Sequence, residues 1–184
     1  ISEALRSRNP VMVLPHFTGT GTPYMDPTAL GAMFGFSLAT EKRDIVLGLI
    51  ESVCFELSLN LDRLQQTGIK IKKIVANGKS ADNGELLSLR SDICGRPIQT
   101  LAVEEAGCLG AALLCVAALE DNLSLTAITE RWTEKGALFR PDEKRSAYYR
   151  KKTAVYKQLY STTRDVQREI HEVGPFNMGE SLAK

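Results

Sequence analysis

Lys72 to Gly95 reads KKIVANGKSADNGELLSLRSDICG, and the rest of the chain is arranged around it. Ile74, Val75 and Ala76 are apolar and small or β-branched, the chemistry of a short buried strand. Asn77, Gly78, Lys79 and Ser80 are turn residues. Asp82 and Asn83 can each cap a helix, because their side-chain oxygens accept hydrogen bonds from its unpaired first N–H groups. Leu86, Leu89 and Ile93 follow at helical spacing. Gly95 supplies a left-handed stop, with Pro97 close behind. The stretch is thus strand, polar turn, helix. A bend of this kind is a potential anion site, since backbone N–H groups and the helix dipole point outward there and Gly78 has no Cβ to hold a phosphate away. Spacing alone also fits a plain connection between two elements.

Upstream, Val11 to Leu14 is a short apolar strand, preceded over residues 1–9 by an expected helical remnant. Residues 15–27, PHFTGTGTPYMDP, are so rich in Gly, Pro and Thr that the loop is either mobile or held by many specific contacts. His16 sits there as a hydrogen-bonded structural residue or, with no partner identifiable in the sequence, a general base. GAMFGFS, residues 31–37, returns as a second strand. Thr40 is placed to cap a long helix over 41–66, with an apolar stripe at Ile45, Leu49, Val53, Leu57 and Leu61, flanked by Val46, Ile50 and Leu64. Glu51 and Glu56 on that helix are expected to be solvated or paired. Gly68 closes it.

Downstream, residues 98–101 form a further strand. Glu104 and Glu105 precede a helix over 106–119, AGCLGAALLCVAAL, apolar nearly all round and therefore expected to be buried. Its thin Gly107 and Gly110 face suits close approach of a backbone or of a ligand. Ser124 caps a short helix through Trp132. After a strand or loop over 136–141, Asp142 caps a long helix to Val173, stopped by Gly174 and Pro175. Tyr149, Tyr156 and Tyr160 line one side of it. A basic cluster near its start includes Lys144, Arg145, Arg150, Lys151, Lys152 and Lys157. Interleaved acids favour a packing helix with a solvated charged face over a nucleic-acid surface. Alternating strands and helices around a Gly turn define an α/β core.

The 184 residues carry 43% hydrophobic side chains and a net charge of +1. That composition builds a core and argues against nucleic-acid binding through global charge. No apolar run is long enough to span a membrane. The four cysteines, Cys54, Cys94, Cys108 and Cys115, form no CxxC pair and, with two histidines in the chain, make a zinc site a poor reading. Buried, reduced thiols in a cytoplasmic protein are expected. The start at Ile1 suggests a piece of a longer or processed product.

Several segments, in order, resemble the C-terminal half of the FGGY family of carbohydrate kinases, which includes xylulose and glycerol kinases. They are FTGTGTPYMDP at 17–27 with GAMFG at 31–35 and DIVLGLIE at 44–51, then the Gly78 turn with SDICGRP at 91–97, then EAGCLGAA at 105–112, and last FRPD at 139–142 with Tyr149. Phe36 and Gly48 depart from the family's usual choices. The resemblance spans about residues 11–160.

The resemblance implies a ribonuclease-H-like, actin- or hexokinase-like ATPase fold, with a mixed sheet and flanking helices. This chain would be the second domain, over 1–175, followed by a tail at 176–184. It implies ATP and Mg2+ as cofactors, a sugar or polyol substrate, and the N-terminal kinase domain of the same parent as partner. The oligomeric state is open, a homodimer among the options. Gly78, Lys79 and Ser80 would lie against the phosphates and Asn83 near the adenine. The family's turn holds two or three glycines, whereas here Lys79 and Ser80 follow Gly78. Lys79 could contact a phosphate as a point charge or crowd the site. The catalytic carboxylate and sugar-binding residues belong to the preceding half in this family, so no catalytic or metal-ligating residue is assigned here. The alternative is a degenerate member that binds a nucleotide or partner without phosphoryl transfer.

Overall fold

The structure is a computed structural model that describes residues 9–103, 105–119 and 124–174. β1 (Met12–Leu14) and β2 (Ala32–Phe34) form an antiparallel pair with Met12 opposite Phe34. α1 (Lys42–Gln66) follows, then β3 (Ile74–Ala76), a 3-10 turn at Lys79–Ala81 and α2 (Gly84–Cys94). β4 (Ile98–Leu101), α3 (Ala106–Leu119), α4 (Leu125–Trp132), β5 (Lys135–Phe139) and α5 (Glu143–Val173) complete the order. β4 is central in a three-stranded sheet, parallel to β3 and antiparallel to β5. This is the expected α/β arrangement with a mixed sheet. Asn9 is not helical, and the rest of the expected leading helix, Glu104 and the tail at 176–184 lie outside the described residues.

The core lies where α1, α2, α5 and β1 meet, filled by Leu14, Leu47, Phe55, Leu59, Leu89, Ile93 and Tyr156. The Phe55 and Tyr156 rings sit 4.9 Å apart. Asparagine, serine and aspartate caps end the helices as the sequence suggests, at Asn83, Ser124 and Asp142, and Gly95 at φ 61° closes α2. α1 differs. Its cap is Glu41 rather than Thr40, in a reciprocal box in which Asp44 accepts from the Glu41 N–H at 2.9 Å.

The buried face of α1 is also rotated from the expected stripe. Leu47, Glu51, Cys54, Phe55, Ser58 and Leu59 face inward, whereas Val53 and Val46 are exposed. The periodicity misled because the inward face carries a glutamate and two serines, which an apolar count passes over. Glu51 is buried and paired. Its carboxylate takes the Lys152 ammonium and the Tyr149 hydroxyl, the latter at 2.9 Å, while Lys152 Nζ also donates to the Asn9 carbonyl at 2.7 Å. Burial pushes Glu51 up from its ordinary value, against the pull of Lys152. Lys152 is therefore not part of a solvated charged face, while the tyrosines beside it pack inward as expected.

The Gly- and Pro-rich loop is held by contacts. Thr20 and Asp26 exchange backbone hydrogen bonds at 2.8 and 3.0 Å. The Asp26 carboxylate accepts from the Thr28 hydroxyl at 2.6 Å, the Thr28 N–H at 2.9 Å and the Tyr160 hydroxyl at 2.5 Å. The Thr28 hydroxyl first, then Tyr160, hold the Asp26 carboxyl well below the usual carboxylate range. Burial and the Asp26 bond push Tyr160 up to about 12. His16 is a buried structural residue. Its Nε2 lies 3.3 Å from Glu56 Oε1, which also accepts from the Tyr156 hydroxyl at 2.5 Å.

α3 departs most from expectation. Among its residues only Leu113 is buried, while Leu114, Leu119, Cys108 and Cys115 are exposed. The helix contacts mainly α4 among the described elements, so its apolar composition is not matched by cover within them. A Cβ at Gly107 or Gly110 would meet no atom of the described residues within 4 Å, so no backbone among them approaches that thin face. Cys54 and Cys94 are buried as expected; Cys108 and Cys115 are not, because they ride on α3.

Two outcomes are expected. Lys152→Ala strands a buried carboxylate and should cost about 3–5 kcal/mol in urea unfolding, much of it recovered when Glu51→Gln is added. Asp26 is depressed in the fold, so its contribution is present above its ordinary value of 3.8 and is lost as pH falls below it. The gap in urea midpoint between the wild type and Asp26→Asn should therefore be wide at neutral pH and should close under acid.

Candidate functional site

Ala76 pairs with Thr100, so β3 and the parallel β4 leave the sheet side by side at their C-terminal ends. In sheets of this kind, ligands bind in the crevice outside the carboxyl ends of the strands. Here that crevice is a cavity of about 510 Å3, walled by the Gly78–Lys79 turn, Asp82, the segment from Thr100 to Val103, and Glu105. A second hollow of about 630 Å3 adjoins it, walled by Lys79, Asp82, Asn83, Glu85, Ser88 and Phe139. Lys79 and Asp82 line both, so together the two form one elongated trough over the turn.

Gly78 makes the bend possible. Its φ of 75° and ψ of −177° are backbone angles open essentially to glycine alone. Among the described residues no atom comes within 4 Å of where a Cβ would stand, so the turn presents bare backbone to the trough. Lys79 is exposed and, among the described residues, pairs with no carboxylate. The turn closes on itself through the Ala81 N–H to the Gly78 carbonyl at 2.8 Å. Ser80 follows Lys79 in the same turn.

Asn83 is the cap of α2. Its Oδ1 accepts from the Glu85 N–H at 3.1 Å and the Leu86 N–H at 3.0 Å. Those N–H groups are therefore consumed within the helix, and α2 offers an anion less than its dipole alone suggests. The Asn83 amide nitrogen donates no hydrogen bond among the described residues, and Asn83 stands on the wall of the second hollow.

The far end of α2 fixes the trough's geometry. The Ser91 hydroxyl lies 2.8 Å from the Arg96 carbonyl and 3.2 Å from the Phe139 carbonyl, tying α2 to β5. Buried Asp92 accepts from the Asp142 N–H at 2.7 Å and pairs with Arg145 at 3.0 Å, tying α2 to the start of α5. Burial pushes Asp92 up, opposed by the Asp142 N–H and then Arg145. Gly136 passes so close to the Thr100 hydroxyl that a Cβ there would stand 2.4 Å from it. This glycine lets β5 seat against the end of β4.

The structure thus brings Gly78, Lys79 and Asn83 to one trough. It adds a wall the sequence did not single out, Thr100 to Val103, which is legible only once β4 is known to run parallel to β3. Among the described residues no cluster of His, Cys, Asp and Glu is arranged to hold a metal ion.

Comparison with known proteins shows the family. The FGGY family of carbohydrate kinases, C-terminal domain, matches residues 2–119, and the chain belongs to that family. It is 32% identical to the glycerol kinase of Lactococcus lactis subsp. lactis over 86% of this chain and 32% of that protein. Its fold is similar to the xylulose kinase of Lactobacillus acidophilus, with a TM-score of 0.80 and 23% identity over 88% of this chain and 34% of that one. It is also similar to a Plasmodium falciparum glycerol kinase solved with ADP, with a TM-score of 0.73 and 25% identity over 88% of this chain and 33% of that one. The fold is that of the actin- and hexokinase-like ATPases. The chain spans about a third of the length of these relatives.

Gly78→Ala should cost about 1–3 kcal/mol through backbone strain alone, since no neighbour crowds the new methyl. Thermal unfolding checks this. A loss below a few tenths of a kcal/mol would mean the bend is not held at these angles.

Proposed function

We propose that this chain is the ATP-side domain, over residues 1–175, of a kinase that transfers the γ-phosphoryl of ATP to the hydroxyl of a ketose such as xylulose or a polyol such as glycerol. The observation that carries the reading is the trough at the C-terminal ends of β3 and β4, with the open Gly78 bend on its floor. The chain's membership of a family of carbohydrate kinases and its similarity to a glycerol kinase solved with ADP support it.

In this reading the Gly78, Lys79 and Ser80 backbone lies along the phosphates. The Lys79 ammonium neutralises them as a point charge, in the place where the family carries a further glycine. The Asn83 amide nitrogen donates to the base in the second hollow. Asp82 and Glu105 line the phosphate end and, as hard oxygen donors, would hold a Mg2+ carried in with the nucleotide, which would supply charge neutralisation there. Phosphoryl transfer depends chiefly on such positioning and charge stabilisation. The carboxylate that takes the hydroxyl proton, and the residues that read the sugar, belong to the N-terminal half of the parent, with which this domain closes the cleft. A cytoplasmic enzyme fits this assignment, with a homodimer as one assembly open to it.

The parent protein should phosphorylate glycerol or xylulose in the presence of Mg-ATP, while these 184 residues bind nucleotide without turnover. Lys79→Ala should weaken Mg-ATP binding by roughly tenfold in calorimetry, as expected for loss of one charge-assisted phosphate contact. Turnover by the 184 residues alone, or tighter binding in Lys79→Ala, would contradict the assignment.

A further inference from the structure

A third hollow, of about 720 Å3, lies between the C-terminal ends of α1 and α2 and the first half of α5. It shares no lining residue with the trough at Gly78. Four cations border it, Lys72, Arg96, Arg150 and Lys157, against the single carboxylate of Asp62. Lys157 is paired with Asp62 at 2.6 Å. Among the described residues that leaves Lys72, Arg96 and Arg150 with no carboxylate partner.

Three uncompensated like charges around one concavity repel one another, and an entering anion relieves that repulsion. The negative end of α2 is engaged in part: Ser91 O accepts from the Gly95 and Arg96 N–H groups and Cys94 O from Arg96 Nη1 at 2.9 Å, which leaves Lys72 and Arg150 without such a contact among the described residues. That bond and a second from Arg96 Nη2 to the Gln65 side chain hold the guanidinium in a fixed orientation at the rim. Thr153 gives an independent sign. It is buried, lines the hollow, and its hydroxyl has no hydrogen-bond partner among the described residues. Buried hydroxyls ordinarily have partners, and an oxygen-rich ligand would supply one. Cys94, also on the wall, is a neutral thiol at physiological pH, since burial pushes it up to about 12, and adds no competing negative charge.

We propose that this hollow is a second ligand site that takes a small polyphosphorylated anion, with Arg96, Arg150 and Lys72 on its phosphate oxygens and the Thr153 hydroxyl on one of them. Guanidinium groups suit forked contacts to phosphate, and the ammonium supplies a point charge. The volume is that of a small-molecule pocket.

Calorimetric titration with inorganic pyrophosphate tests it, on the full chain with the Gly78 trough first saturated by Mg-ADP so that only the third hollow is open to the anion. The variants are the double substitution Lys72→Gln with Arg150→Gln, both exposed positions whose loss leaves the core intact, and Thr153→Val, with Lys79→Ala as the control in the nucleotide trough. The site predicts saturable binding that falls by about tenfold or more in the double variant and measurably in Thr153→Val, while Lys79→Ala stays within about twofold. Absence of saturable binding at millimolar pyrophosphate, or binding that survives in the double variant, overturns the proposal. So does binding that collapses in Lys79→Ala, since the anion then sits at the Gly78 turn.

Discussion

The parallel pairing of β3 with β4 is the constraint on which the rest depends. With Ala76 opposite Thr100, the chain leaves both strands at the same end of the sheet and must turn there twice. One exit runs through the Gly78 bend into α2, the other through Ala102 and Val103 toward α3. The space between the two exits is the trough. Its floor can be bare backbone only because Gly78 tolerates a φ of 75° with an extended ψ. A side chain at that position would add strain at the bend that floors the trough.

The rest of the molecule keeps that bend in place. α2 is capped by Asn83 at the trough end and pinned by Ser91 and Asp92 at the other, to β5 and to the start of α5. The motif at 91–97 that resembles the kinases thus works at a distance from any ligand in the trough, by fixing the helix that follows the turn. α5 is in turn anchored on α1 through buried polar pairs, Lys152 to Glu51 and Tyr156 to Glu56, and on the loop through Tyr160 to Asp26. Such groups stabilise only as complete sets, because a single partner left behind is a buried charge or an unpaired donor. They set how α5 seats on α1 and on the loop more than they add net stability.

Much of this was legible in the residues. The strand, turn and helix of 72–95, the caps at Asn83, Ser124 and Asp142, and the stop at Gly95 follow from local chemistry and stand where local chemistry puts them. What failed depended on partners distant in sequence. The inward face of α1 carries Glu51 and Ser58, whose burial makes sense only once Lys152 and α5 are beside them. α3 has the composition of a buried helix, yet composition cannot say whether its cover lies within the described residues. At the candidate site, Gly78, Lys79 and Asn83 could be named from turn chemistry and family resemblance. The opposite wall, Thr100 to Val103, could not, because nothing local marks the end of a strand as facing a cavity until its neighbour's direction is known.

The most direct test of the account is a map of backbone amide shifts in the isotopically labelled chain as Mg-ADP is added. The account predicts saturable shifts concentrated at Gly78, Lys79 and Asn83 on one side and at Thr100 to Val103 on the other, the two exits from the parallel strands. An unchanged spectrum at saturating nucleotide, or shifts centred elsewhere with the Gly78 amide unmoved, would contradict it.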